Sequence, residues 1–201
     1  MGKIKFTKTE LKKQQDEKKQ FERFLPTLQL KKQQLQLEVR HSMEMLENNA
    51  REIADFEAKL EAFVELFGPE RDAAFIRSLV EVETVRRGEL NIAGITVPTL
   101  EEVVFKPIKI DLLNTDWYVD EAAAALRTAL ELREARRVLE ERCELLNSEL
   151  RSTSQRVNLF EKVKIPECRE NIRRISIMLG DANTSAVARS KIAKRKSSAA
   201  A

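Results

Sequence analysis

From Phe21 onward the apolar residues recur at alternating steps of four and three. One column runs Leu25, Lys32, Val39, Leu46, Ile53, Leu60, Phe67 and the other Phe21, Leu28, Leu35, Ser42, Asn49, Phe56, Phe63, and eleven of these fourteen positions are apolar. A heptad repeat held this long predicts a coiled-coil helix, because two helices that supercoil keep an a/d seam in contact where a globular helix does not need it. At 1.5 Å per residue, residues 21–67 alone would span roughly 70 Å. Upstream, Thr7 with Glu10 three residues later predicts the N-cap, and Gly68-Pro69 predicts the stop. Pro26 falls inside this helix and leaves two outcomes, a bend there or tight pairing that starts near residue 28.

A second long helix is predicted to begin around residues 116–121. Its columns are Ala125, Leu132, Leu139, Leu146, Thr153, Phe160 and Ala129, Arg136, Cys143, Leu150, Val157. Past Phe160 the same steps would bring Lys164, Glu167, Asn171 and Arg174 to the seam, all of them polar. The apolar stripe instead continues at Ile165, Cys168, Ile172, Ile175 and Leu179, slipped by one residue, with Pro166 at the slip. Proline lacks the amide donor and crowds the carbonyl four residues back, so a widened turn holding one extra residue is the expected accommodation. On this reading Cys143 and Cys168 are small core hydrophobes on the seam and not nucleophiles.

Residues between the helices change character. "DAAFIRSLVEVETVRR", residues 72–87, reads as a short helix. "ELNIAGITVPTLEEVVFKPIKIDLL", residues 89–113, reads as a hairpin or two short strands turning at "NIAGI". The predicted fold is mainly α: a long antiparallel two-helix coiled coil built from the N- and C-terminal segments, with a small α/β head between them. The predicted divisions are residues 1–67 for the first helix, 68–119 for the head, 120–181 for the second helix with its phase slip, and 182–201 for a basic tail.

Composition then excludes most chemistry. Five glycines, a single histidine (His41, beside Ser42) and two cysteines leave no phosphate-gripping loop, no metal motif and no base for a catalytic thiol. The chain is expected not to be an enzyme by itself and to need no cofactor. Without an apolar run of about 18 residues or an apolar leader, it is expected to be soluble and cytoplasmic. The net charge of +3 conceals a polarity: residues 1–35 carry +6, residues 182–201 carry +5, and the middle is left at about −8. If the two ends meet, they form one positive pole attracted to acidic surfaces.

Three stretches together resemble one family. "FTKTEL" near the start, "NIAGITVP" in the centre and "RVNLFEKVKIPECRENIRRISIMLGD" followed by "AVARSKIAKRK" near the end are similar to the D subunits of the bacterial and archaeal V-type (A-type) ATP synthases. The resemblance covers nearly the whole chain, departing at Pro26, where related chains usually carry a small residue. It implies a central rotor shaft that couples ATP synthesis or hydrolysis to H+ or Na+ transport. It also implies a basic tip inside the hexamer of catalytic and nucleotide-binding (A- and B-type) subunits, a small F-type subunit on the side of the shaft, and a C-type socket subunit above the membrane ring.

A shaft of that kind needs a bearing, for which Lys8, Lys12, Lys13, Arg189, Lys191, Lys194 and Arg195 are the candidates. Two other classes fit the basic ends less well. A nucleic-acid-binding coiled coil would use "KIAKRK" on phosphates, yet the basic end at residues 182–201 has no stacking aromatic and no recognition motif appears. A membrane-surface scaffold would carry its basic residues along a whole helix face.

Overall fold

The structure is a computed structural model and describes residues 5–64, 78, 80–107 and 118–199. It is mainly helical. Helix α1 spans Lys8–Val64, strands β1 and β2 span Val82–Ile92 and Ile95–Phe105, and helix α2 spans Val119–Leu159. A π segment, Phe160–Lys164, leads directly into helix α3, Ile165–Ala199. The chain forms two compact units, one of Met1–Lys32 with Ser152–Ala201 and one of Gln33–Arg151. The predicted stop at Gly68-Pro69, Phe67 of the first column, residues 72–77 and 79 of the short helix predicted over 72–87 and the 108–113 end of the hairpin reading lie outside the described residues.

The start of α1 follows its capping sequence. Thr7 Oγ1 accepts from the Glu10 amide at 3.2 Å, and the Glu10 carboxylate accepts from Gln14 Nε2 at 3.2 Å. The helix runs through Pro26 without interruption. Pro26 is exposed, so water can reach the backbone carbonyl whose donor it removes. Contact with α3 is already made upstream of Pro26, where Gln14 accepts from Asn171, while the first fully buried residue of α1 is Leu35.

In the unit of Gln33–Arg151, α1 and α2 pack antiparallel with the hairpin laid against them. Its core joins Leu35 and Val39 of α1, Ile92 and Val97 of the hairpin and Leu146 of α2, with Ala93, Ile95 and Leu150 packed at the edge. The strands pair antiparallel from Ile92–Ile95 outward to Val82–Phe105, with bulges at Val82/Thr84 and Arg86/Arg87. The predicted turn is formed by Ala93 and Gly94, with φ of 50° and 81°. Positive φ at both central residues is the primed two-residue turn that matches strand twist, and Asn91 Oδ1 accepts the Gly94 amide at 3.1 Å. Of the helix predicted over 72–87, Ser78 is helical, but residues 82–87 are strand, which corrects the C-terminal part of that prediction. Val82, Thr84 and Val85 are β-branched and pair with Phe105, Val104 and Val103. Arg87 ties β1 to α2 through Glu141 at 3.0 Å, and the Arg127 guanidinium lies 5.6 Å from the centre of the Phe105 ring.

In the unit of Met1–Lys32 with Ser152–Ala201, the start of α1 runs antiparallel to the end of α2, the π segment and α3. Phe21 meets Phe160 with ring centres 5.0 Å apart and planes tilted by 49°. Farther along, Glu22 accepts from Arg169 at 3.1 Å and Gln14 accepts from Asn171 at 3.1 Å. In the π segment the Ile165 amide donates to the Phe160 carbonyl, five residues back instead of four. That one residue of extra winding, placed immediately before Pro166, brings Ile165, Cys168 and Ile175 to the interior while Glu167 and Arg174 stay outside.

Candidate functional site

Two features of the chain can carry function, a buried seam and an exposed basic end. None of the described positions on either heptad column of α1 is exposed where the side chain is placed: Val39, Leu35, Ser42 and Asn49 are buried, and Leu46, Ile53 and Leu60 are half-buried. On the partner strand of the seam, Leu146, Val157, Ile165 and Cys168 are buried, and Leu139, Leu150, Phe160 and Ile172 are half-buried. Arg136 departs from its column. It is exposed and pairs with Glu140 at 2.8 Å, while Val138 and Arg142, which the columns omit, are buried instead. Both lie with Met45 and Leu139 around a pocket that Pro98, Thr99 and Leu100 of β2 complete. The strand covers that side of α2, and a helix-only periodicity carries no signal for it.

The two thiols sit where a structural role requires. Burial pushes the Cys143 thiol up, Arg142 opposes this and Glu140 adds to it. Burial also raises Cys168, reinforced by Glu17 and Glu167 and opposed by Lys164 and Lys18. A raised thiol is a poor nucleophile at neutral pH, since the thiolate is the reactive form. Neither cysteine is therefore expected to react with iodoacetamide in the folded chain, both reacting once denaturant is added; labelling of Cys168 under native conditions, read by mass spectrometry, would contradict its place in the seam. Among the described residues no cluster of His, Cys, Asp or Glu could hold a metal ion.

The basic residues singled out in the sequence are all exposed, and all belong to the unit of Met1–Lys32 with Ser152–Ala201. Lys8 and Lys12, together with Lys19, line an open groove whose other wall is Ser176, Gly180 and Asn183 of α3. Lys13 faces Glu17 of its own helix at 3.9 Å. Arg189, Lys191, Lys194 and Arg195 lie farther along α3, where every described residue from Asp181 to Ser198 is exposed. At 3.6 residues per turn Lys191, Lys194 and Arg195 share one side of the helix and Arg189 falls on the other, so the charges occupy both sides of the axis. Val187 and Ile192 stand exposed among them. No helix of the described residues is long and apolar enough to cross a membrane.

Comparison with known proteins agrees with the architecture. The family model for the ATP synthase D subunit matches residues 10–195. The chain is 42% identical to the V-type ATP synthase D subunit of Borreliella burgdorferi over 194 residues, which is 96% of this chain and 95% of that protein. It is 31% identical to the protein of the same name from Chlamydia pneumoniae, over 96% of this chain and 92% of that one, and 32% identical to that of Chlamydia muridarum, over 96% and 95%. With its two long helices, intervening hairpin and near full-length match, the chain belongs to the family of ATP synthase D subunits.

Proposed function

We propose that this chain is the central-stalk rotor subunit of a V-type ATP synthase. It would couple ATP synthesis or hydrolysis in a hexamer of catalytic and nucleotide-binding subunits to H+ or Na+ transport across the membrane. In this reading it catalyses nothing itself and works in the cytoplasm, peripheral to the membrane. A small F-type subunit would hold its side, and the segment of residues 68–119 would seat it on a C-type socket subunit.

The observation that carries the reading is the exposed end of α3, with cations on both sides of its axis. An elongated part that turns inside a ring needs attraction that changes little with angle. Charges on both sides of a helix provide that against acidic loops, because long-range Coulomb attraction tolerates orientation where hydrogen bonds and close packing do not. The buried seam supplies the complementary property. Torque applied at one end is transmitted only if the two helices do not slide on each other, and the burial of Leu146, Val157, Ile165, Cys168 and Ile175 opposes sliding.

The test is reconstitution of the hexamer with chains in which Lys8, Lys12, Lys13, Arg189, Lys191, Lys194 and Arg195 are replaced by alanine. Exposed charges contribute roughly 0.2–1 kcal/mol each, so the substituted chain should bind about tenfold or more weakly at low salt, with a flatter salt dependence. Unchanged assembly and unchanged ATP-driven rotation at low ionic strength would remove the bearing role from these residues. Strong, steeply salt-dependent binding of the isolated chain to nucleic acid would favour the other use of its basic ends.

A further inference from the structure

Heptad columns specify that α1 and α2 pack, but they do not specify at which step. Sliding one helix past the other by seven residues, about 10 Å, lays an apolar column on an apolar column again. Within Gln33–Arg151 the seam is interrupted by polar groups that have no reason to be there for stability. Asn49 is 6% exposed, Ser42 0% and Arg142 7%. Asn49 Nδ2 donates to the Leu132 carbonyl at 3.3 Å, and Arg142 Nη2 stands 3.6 Å from Glu38 Oε2. Ser42 Oγ, Asn49 Oδ1 and Arg142 Nε are buried with no hydrogen-bond partner among the described residues. Buried polar atoms left unpaired oppose folding, and well-packed apolar side chains in their place are commonly neutral or stabilising.

We infer that Asn49 and the Glu38–Arg142 pair are the register key of α1 against α2, selecting one heptad step from those the apolar seam leaves nearly equivalent. Both contacts obey the same antiparallel alignment as Leu35 and Leu146, which share the unit's core. A slide of seven residues in one direction would set Glu38 against Glu149 and Arg142 against Met45. In the other direction Glu38 would face Ala135. Either way the buried guanidinium loses its carboxylate, which is a far larger penalty than any difference between the apolar layers. Asn49 reaches a backbone carbonyl in a stretch of α2 where Ala129 and Ala135 keep side chains short, whereas a slide toward the C-terminal end of α2 would bring it against Val138 and Leu139. A single buried asparagine is the best attested device for fixing register in coiled coils, at a cost in stability. For a chain that transmits torque, one register means one angular relation between its ends.

The experiment places spin labels on the full chain at the exposed positions Glu44→Cys and Arg137→Cys and measures their separation by pulsed dipolar spectroscopy. The parent chain should give one distance. Asn49→Leu, and the triple variant Glu38→Leu, Asn49→Leu, Arg142→Leu, should melt no lower than the parent. At least one of them should show a second, longer distance in keeping with a step of about 10 Å along the axis. If the triple variant does not fold, Asn49→Leu alone decides. One unchanged distance in every variant that folds overturns the inference, as does a large fall in melting temperature with the single distance kept, since the groups would then serve stability.

Discussion

Deleting the exposed Val163 together with Pro166→Ala is expected to leave the melting temperature within about 5 °C of the parent, a change of about 1 kcal/mol for a domain of this kind. With Val163 removed, Ile165, Cys168, Ile172, Ile175 and Leu179 fall at regular steps of four and three from Val157 and Phe160, so an uninterrupted α-helix carries the whole seam. The π segment is then no longer needed, and replacing Pro166 restores the amide donor that its ring removes. Deletion of Glu144, also exposed, makes the contrast. It brings Asn147, Arg151, Ser154 and Asn158 to the places of Leu146, Leu150, Thr153 and Val157. Each buried aliphatic side chain lost from a core costs about 2–5 kcal/mol, and together they exceed much of the roughly 5–15 kcal/mol that holds a typical domain folded. Thermal melts followed by circular dichroism decide between them. Equal damage from the two deletions would mean that the extra residue before Pro166 is not a phase correction.

Leu146→Ala should destabilise the chain by about 2–5 kcal/mol, read as a lowered midpoint in urea. Leu146 is completely buried and is where the hairpin, through Ile92 and Val97, meets Leu35 and Val39 of α1. The cavity left by truncation would be walled by separate stretches of chain, each with its own contacts to keep, so the site cannot easily collapse around it. Leu37→Ala provides the control. Leu37 is 62% exposed on the outer face of α1, and its truncation should change stability by less than about 0.5 kcal/mol. A similar loss from both substitutions would place the core elsewhere.

What is legible in the sequence is whatever repeats along one helix. The columns through Val39, Leu46 and Ile53, the slip between Phe160 and Ile165 and the cap at Thr7 are local or periodic signals, and the backbone bonds and burial agree with them. The turn at Ala93–Gly94 is legible through Gly94, which takes positive φ without a Cβ penalty, and Asn91, whose side chain accepts the Gly94 amide. What stays hidden depends on which element covers which face. Residues 82–87 carry charges at spacings that suit a helix, and only their pairing with Val103, Val104 and Phe105 makes them a strand. Burial of Val138 and Arg142 follows from β2 lying over them, a long-range fact that helical periodicity does not contain. Pro26 escapes sequence reasoning for a related cause, since its tolerance depends on which side of the helix faces water. As for the basic residues, their number and sign are plain from the sequence. Their arrangement around α3 follows from the helix continuing to Ala199.

Because Cys143 and Cys168 both lie inside the seam with raised thiols, the chain is expected to stay silent toward mild thiol reagents. A cysteine placed at any exposed position would then be the only reactive one. Fluorophores, beads or spin probes can be attached at chosen points while the native sulfur atoms stay in place, so the object whose twist is being watched keeps its own interior.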